Sequence, residues 1–101
     1  MYRVSIHRLA IREFKKAKSW YQNRSQVAAQ RFQDALQSAL VEVAEHAELH
    51  AADETGLRFW KLKRFPYLLF YCVIDVSSVH VYAVAHERRK PGYWRKRRNI
   101  P

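Results

Sequence analysis

Apolar and polar residues alternate over residues 2–7, with Tyr2, Val4 and Ile6 set against Arg3, Ser5 and His7. A period of two predicts a short strand with one buried face. From Leu9 the spacing lengthens. Ile11, Phe14, Lys18 and Tyr21 fall on one helical stripe, while Arg12, Lys15 and Lys16 fall outside it. The spacing predicts a helix over 9–22, with Lys18 at the edge of the stripe carrying its charge out to water. Asn23, Arg24 and Ser25 break the pattern, and Ser25 has the side chain to cap a second helix.

That second helix carries the longest stripe in the chain: Ala28, Phe32, Ala35, Leu36, Ala39, Leu40, Val43 and Ala47. Its many alanines predict close packing on the first helix or on a sheet. An acidic loop over 48–56 ends in Gly56. Beyond it the pattern turns β-like. Residues 57–63 predict a strand that mixes aromatics with cations. Residues 64–67 predict a turn, because Pro66 lacks a ladder donor and biases Phe65 away from helix. The apolar run 67–74 predicts a central strand, 75–78 a hairpin turn, and 79–86 a further strand with Val79, Val81, Ala83 and Ala85 on one side. The order is β-α-α-β-β-β, an α+β class. The last three strands form an antiparallel meander. The helices must cover one face of the mostly antiparallel sheet, since their stripes need a partner. The other face is then left free to bind.

Composition narrows what such a fold does. The 101 residues predict one domain over 1–101, with a basic tail from about residue 95. The net charge of +10 is lopsided. Residues 1–54 hold eight Lys/Arg against seven Asp/Glu; residues 55–101 hold eleven against two, Asp75 and Glu87. Charge gathered in one half predicts a basic face and an anionic partner: nucleic acid, a ribosome or an acidic protein segment. The single cysteine, Cys72, lies in an apolar run, reads as a small buried hydrophobe and suits a reducing cytoplasm. No leader-like apolar segment and no membrane-length apolar stretch is visible. His46 and His50 are four apart, but two ligands do not make a zinc site and no cysteine completes one. No metal and no cofactor is expected. There is no glycine-rich phosphate loop and no Ser-His-Asp set.

Residues 65–74 read FPYLLFYCVI, residues 79–94 read VHVYAVAHERRKPGYW, and residues 28–32 on the second helix read AAQRF. Together with the element order, these segments resemble the RelE/ParE toxin superfamily over nearly the whole chain. The His-x-x-Arg-x-Pro-x-Tyr-Trp run from His86 to Trp94 looks like the version common among ParE-like toxins of type II toxin–antitoxin systems, the plasmid-stabilisation proteins. The resemblance implies a compact toxin that arrests growth and is neutralised by a cognate antitoxin, a small, acidic, partly disordered protein. It also implies one of two targets. ParE-like members poison DNA gyrase; RelE-like members cut messenger RNA in the ribosome.

The residues bear on that choice. Cleavage of RNA needs cations at the phosphate and a group that moves protons. His86, Arg89, Tyr93 and Lys61 are the candidate catalytic residues if the chain is a nuclease. Arg58, Lys61, Lys63, Arg64, Arg88, Arg89, Tyr93 and Arg95 are the candidate target- or nucleic-acid-binding residues, able to converge on one end of the sheet. Tyr93 matches the C-terminal tyrosine of the RelE-like nucleases. These nucleases also carry an arginine early in the central strand, where this chain has Leu68, and leucine binds no phosphate. Leu68 and the FPY and HERRKPGYW segments favour gyrase inhibition. The alternatives are a ribosome-dependent endoribonuclease and, on charge alone, a non-toxic nucleic-acid-binding protein. Blander roles stand beside these: lysines guarding an edge strand, a strand-end histidine bonded to backbone, and Tyr93 and Trp94 closing the end of the core.

Overall fold

The computed structural model describes residues 1–89 and 92–99, the last two of these by backbone alone. Lys90 and Pro91 of the quoted motif, and the final two residues of the tail, lie outside the described residues. The elements run β1 (Arg3–Ile6), α1 (Arg8–Gln22), α2 (Gln26–His46), β2 (Leu57–Lys61), β3 (Tyr67–Asp75) and β4 (Ser78–His86), followed by a 3-10 helix, Tyr93–Asn99.

Local chemistry sets the boundaries. The His7 ring accepts the Leu9 N–H and caps α1, which is why the alternation of the first strand stops there. Ser25 caps α2 by accepting the Ala28 N–H at 3.2 Å. β2 ends at Lys61, two residues earlier than its pattern predicts, because the chain turns through Arg64 with φ at 68°. A left-handed residue cannot continue a strand.

The strand order is β1-β4-β3-β2. β2, β3 and β4 form the antiparallel meander, and β1 lies parallel to β4 at the far edge. Both helices pack on one face, where Phe32, Leu36, Val43, Leu69, Tyr71, Val79 and Val81 meet in the main core. The buried stripe of α2 is rotated slightly from its expected line. Ala29 and Ala44 are buried and Ala28 is not, which brings the Ala44 carbonyl to the Tyr2 N–H at 2.7 Å. Phe32 is fully buried, 5.1 to 5.7 Å from the rings of Phe14, Tyr21, Phe65 and Tyr67. Offset and edge-to-face contacts of this kind add to simple burial.

Two expectations are corrected. Val79, Val81, Ala83 and Ala85 do not share a side. Phe70 pairs with Ala83 and Tyr71 with Val81, so Tyr82 is an extra residue in β4. Such a bulge shifts the alternation by one. Val84 therefore joins Val79 and Val81 under the helices, while Ala83 and Ala85 face the other way. The second correction follows from the first. The far face of the sheet is not free. Leu57, Cys72, Tyr82, Ala83 and Ala85 form a second core there, closed by the buried Trp94, whose ring stacks on Phe70 at 3.9 Å. Trp94 lies in the 3-10 helix Tyr93–Asn99. Among the described residues, no helix is long and apolar enough to cross a membrane.

Candidate functional site

The turn at residues 64–66 and Tyr67 form an aromatic ridge at one end of the sheet, where β2 ends, β3 begins and β4 exits. The ridge is pinned on both sides. Tyr21 of α1 touches Phe65 and Tyr67, with ring centroids 5.1 and 6.4 Å apart. The Glu87 N–H donates to the Pro66 carbonyl at 2.9 Å. A cleft opens on each side of the ridge.

The first cleft lies between α2 and the exit of β2, has a volume of about 490 Å³, and is floored by Trp60 and Phe65. Lys61, Lys63 and Arg64 rim it from the sheet side, and Arg31, Asp34 and Glu42 from α2. The Lys61 ammonium donates to the Phe65 carbonyl at 3.3 Å.

The second cleft, about 430 Å³, lies between α1 and the ends of β3 and β4. Trp20 and Tyr21 form its helical wall, Tyr67 and His86 its sheet wall, and Arg89 and Tyr93 one end. His86 accepts the Arg88 N–H on Nδ1 at 3.1 Å, which places the ring proton on Nε2, and its ring meets Tyr67 edge to face at 5.2 Å. The Arg89 guanidinium carbon sits over the Tyr93 ring, 3.9 Å from its centroid. A cation over an aromatic face is attracted by the ring quadrupole.

Glu13 organises this second cleft. β1 stops at Ile6, so β4 beyond Val81 has no strand on its outer edge. Glu13 fills the gap by accepting the Val84 N–H at 3.0 Å, and Arg97 donates to the Tyr82 carbonyl at 2.9 Å. The two side chains also pair with each other, through contacts of 2.8 and 3.1 Å. The Tyr93 hydroxyl donates to Glu13 Oε2 at 2.5 Å. Burial, and then this bond to a carboxylate, push the Tyr93 phenol well above the usual tyrosine range. Glu13 and Arg97 were not among the residues the sequence singled out. Eighty-four positions separate them, and nothing local distinguishes Glu13 from a solvated helix carboxylate.

The expected binding residues are thus divided. Lys61, Lys63 and Arg64 share the first cleft; His86, Arg89 and Tyr93 share the second. Arg88 is exposed on the turn that follows His86. Arg58 and Arg95 belong elsewhere. Arg58 faces the helices and donates to the Ala47 and His50 carbonyls at 3.5 and 3.0 Å, closing the C-terminus of α2. Arg95 pairs with Asp53 at 3.4 Å on the loop before β2. One continuous cationic platform is therefore replaced by two clefts and two outlying arginines. Leu68 pairs with Lys61 and Ala85 inside the sheet. Among the described residues, no group of three or more His, Cys, Asp or Glu could hold a metal ion.

Comparison with known proteins follows the same lines. The family profile described as the ParE toxin of type II toxin–antitoxin systems, parDE, matches residues 4–91. No curated protein matches the chain. Among solved structures, one from the chromosomal ParDE toxin–antitoxin system of P. aeruginosa superposes with a TM-score of 0.59 at 18% identity, covering 85% of this chain and 96% of that one. At that identity the likeness is one of fold. The match over residues 4–91 goes further, and by it the chain belongs to the ParE toxin family of type II toxin–antitoxin systems.

Proposed function

We propose that this toxin arrests growth by binding DNA gyrase, and that it acts by binding and not by catalysis. The observation that carries the reading is the state of Tyr93. A proton-transfer residue works best with a pKa near the working pH and a free path to its substrate. The Tyr93 hydroxyl instead spends its proton on Glu13, which Arg97 and the Val84 N–H hold in place. The remaining nuclease candidates support the same reading. Lys61 stands across the aromatic ridge from His86, Arg89 and Tyr93, and Leu68 occupies the position where RelE-like nucleases carry an arginine.

The partner that silences the toxin is a cognate antitoxin, small, acidic and partly disordered. The excess of 19 Lys/Arg over 9 Asp/Glu supports such a partner, and the gyrase target places the action in the cytoplasm. Expression without the antitoxin tests the proposal. The expected result is arrested growth with a DNA-damage response and intact messenger RNA. Cut messenger RNA on translating ribosomes, without DNA damage, overturns it in favour of the endoribonuclease. Normal growth with abundant folded protein overturns the toxic action itself.

A further inference from the structure

We infer that His7 is a proton-operated latch. Neutral, it locks the first turn of α1 against β4. Protonated, it releases that turn, and with it the Glu13 bonds that hold the C-terminal 3-10 helix. The inference stands whichever target the toxin has.

His7 joins the end of β1 to the start of α1. Its N–H donates to the Val81 carbonyl of β4 at 2.8 Å, and its own carbonyl accepts the Ala10 and Ile11 N–H groups at 2.9 and 3.1 Å. Its ring accepts the Leu9 N–H on Nδ1 at 3.1 Å. A ring nitrogen that accepts carries no proton, so this cap exists only while the imidazole is neutral, with its hydrogen on Nε2. An imidazolium has two donors and no acceptor. The first turn of α1 holds no acidic residue to take over the cap.

The surroundings resist a second proton. The ring is only 5% exposed, and His7 is the one buried basic residue among the described residues. Arg8 faces it from α1 and Arg97 from the 3-10 helix. His80 and Tyr82 face it from β4, with ring centroids 6.1 and 6.5 Å away. The His80 ring is itself fixed, with Nδ1 2.6 Å from Ser5 Oγ on β1 and the Tyr82 ring 4.7 Å away. Glu13 is the acid that faces His7, and its charge is already matched by Arg97. The positive end of the helix dipole adds to the opposition. Burial, and then Arg97 and Arg8, hold the His7 imidazole below the ordinary histidine value of 6.5.

The unfolded chain therefore takes up this proton first. The stability that His7 supplies is whole above pH ~6.5 and is lost as pH falls below it. Asp53, held at about 2, and Asp75, held below its ordinary 3.8, keep their charges through that range. What the latch releases is set by the chain. Glu13 sits less than about two turns along α1 from the cap, and it accepts from Val84, Tyr93 and Arg97.

Amide hydrogen exchange of the full chain at pH ~7.5 and ~5.0, either side of the ordinary histidine value and corrected for the intrinsic rate, tests the latch. Protection of the Leu9 and Val84 amides should fall about fivefold or more at the lower pH, while that of Val43 in the middle of α2 holds. His7→Asn keeps a side-chain acceptor that does not titrate, so its protection should be the same at both pH values. Imidazole NMR of the parent should show the His7 proton on Nε2 at the higher pH and a midpoint below 6.5. Leu9 and Val84 protection unchanged in the parent overturns the inference. So does an equal loss at Val43, which would be plain acid unfolding, or a pH dependence that survives in His7→Asn. Should that variant not fold, the tautomer and the midpoint decide alone: a proton on Nδ1, or a midpoint at or above 6.5, overturns the latch.

Discussion

Glu13 receives four hydrogen bonds, from Val84, Tyr93 and both terminal nitrogens of Arg97. The side chains of Glu13 and Arg97 are only 16% and 11% exposed. Removing one partner of such a pair leaves the other charge poorly solvated. Glu13→Gln should therefore destabilise the fold by about 2–3 kcal/mol in urea denaturation at neutral pH; a loss below about 0.5 kcal/mol, the range of an ordinary surface change, would mean that the network is decorative. Titration of the phenols gives a second check. Burial holds Tyr71 and Tyr93 above the ordinary value of 10.0, and Glu13 adds to the effect at Tyr93. The folded chain keeps these protons longer than the unfolded chain does. Their contribution to stability is therefore complete below pH ~10 and is lost as pH rises above it. Tyr93→Phe should lose less stability than the parent between pH ~9 and ~11. Equal slopes for the two proteins would contradict the assigned hydrogen bond.

At the scale of elements, the chain was legible where periodicity is strict and local. The stripes from Phe14 to Tyr21 and from Phe32 to Val43 place both helices, and Pro66 places the turn. What escaped depends on events with no local mark. The extra residue at Tyr82 cannot be seen in an unbroken apolar run, yet it exchanges the faces taken by Ala83 and Val84. The outer edge of β4 is bare only because β1 ends at Ile6, a consequence of capping by His7. Trp94 was legible as a core-closing ring, but not as the lid of a second core on the far face. That lid makes a prediction. Trp94→Ala should cost about 3–5 kcal/mol and should raise the rate at which a thiol reagent labels Cys72, which lies in the same cluster. Unchanged labelling would mean that the 3-10 helix does not cover this face.

At the scale of the molecule, charge asymmetry was the signal that carried furthest, and it placed more cations together than the fold does. Lys61, Lys63, Arg64, His86 and Arg89 do collect at one end of the sheet, in the two clefts beside the aromatic ridge. Arg58 does not, because its strand position faces the helices and its guanidinium is spent on α2 carbonyls. Composition counts charges and cannot say which way a strand presents them. The surface that remains is a bipartite basic end, suited to gripping an anionic or acidic partner, with its one tyrosine of catalytic type tied into a structural network. Purified gyrase supercoiling relaxed plasmid DNA, with and without the toxin and with translating ribosomes run in parallel, tests this account most directly. The account predicts lost supercoiling and accumulated DNA breaks beside uncut messenger RNA; undisturbed supercoiling beside cleaved messenger RNA would contradict it.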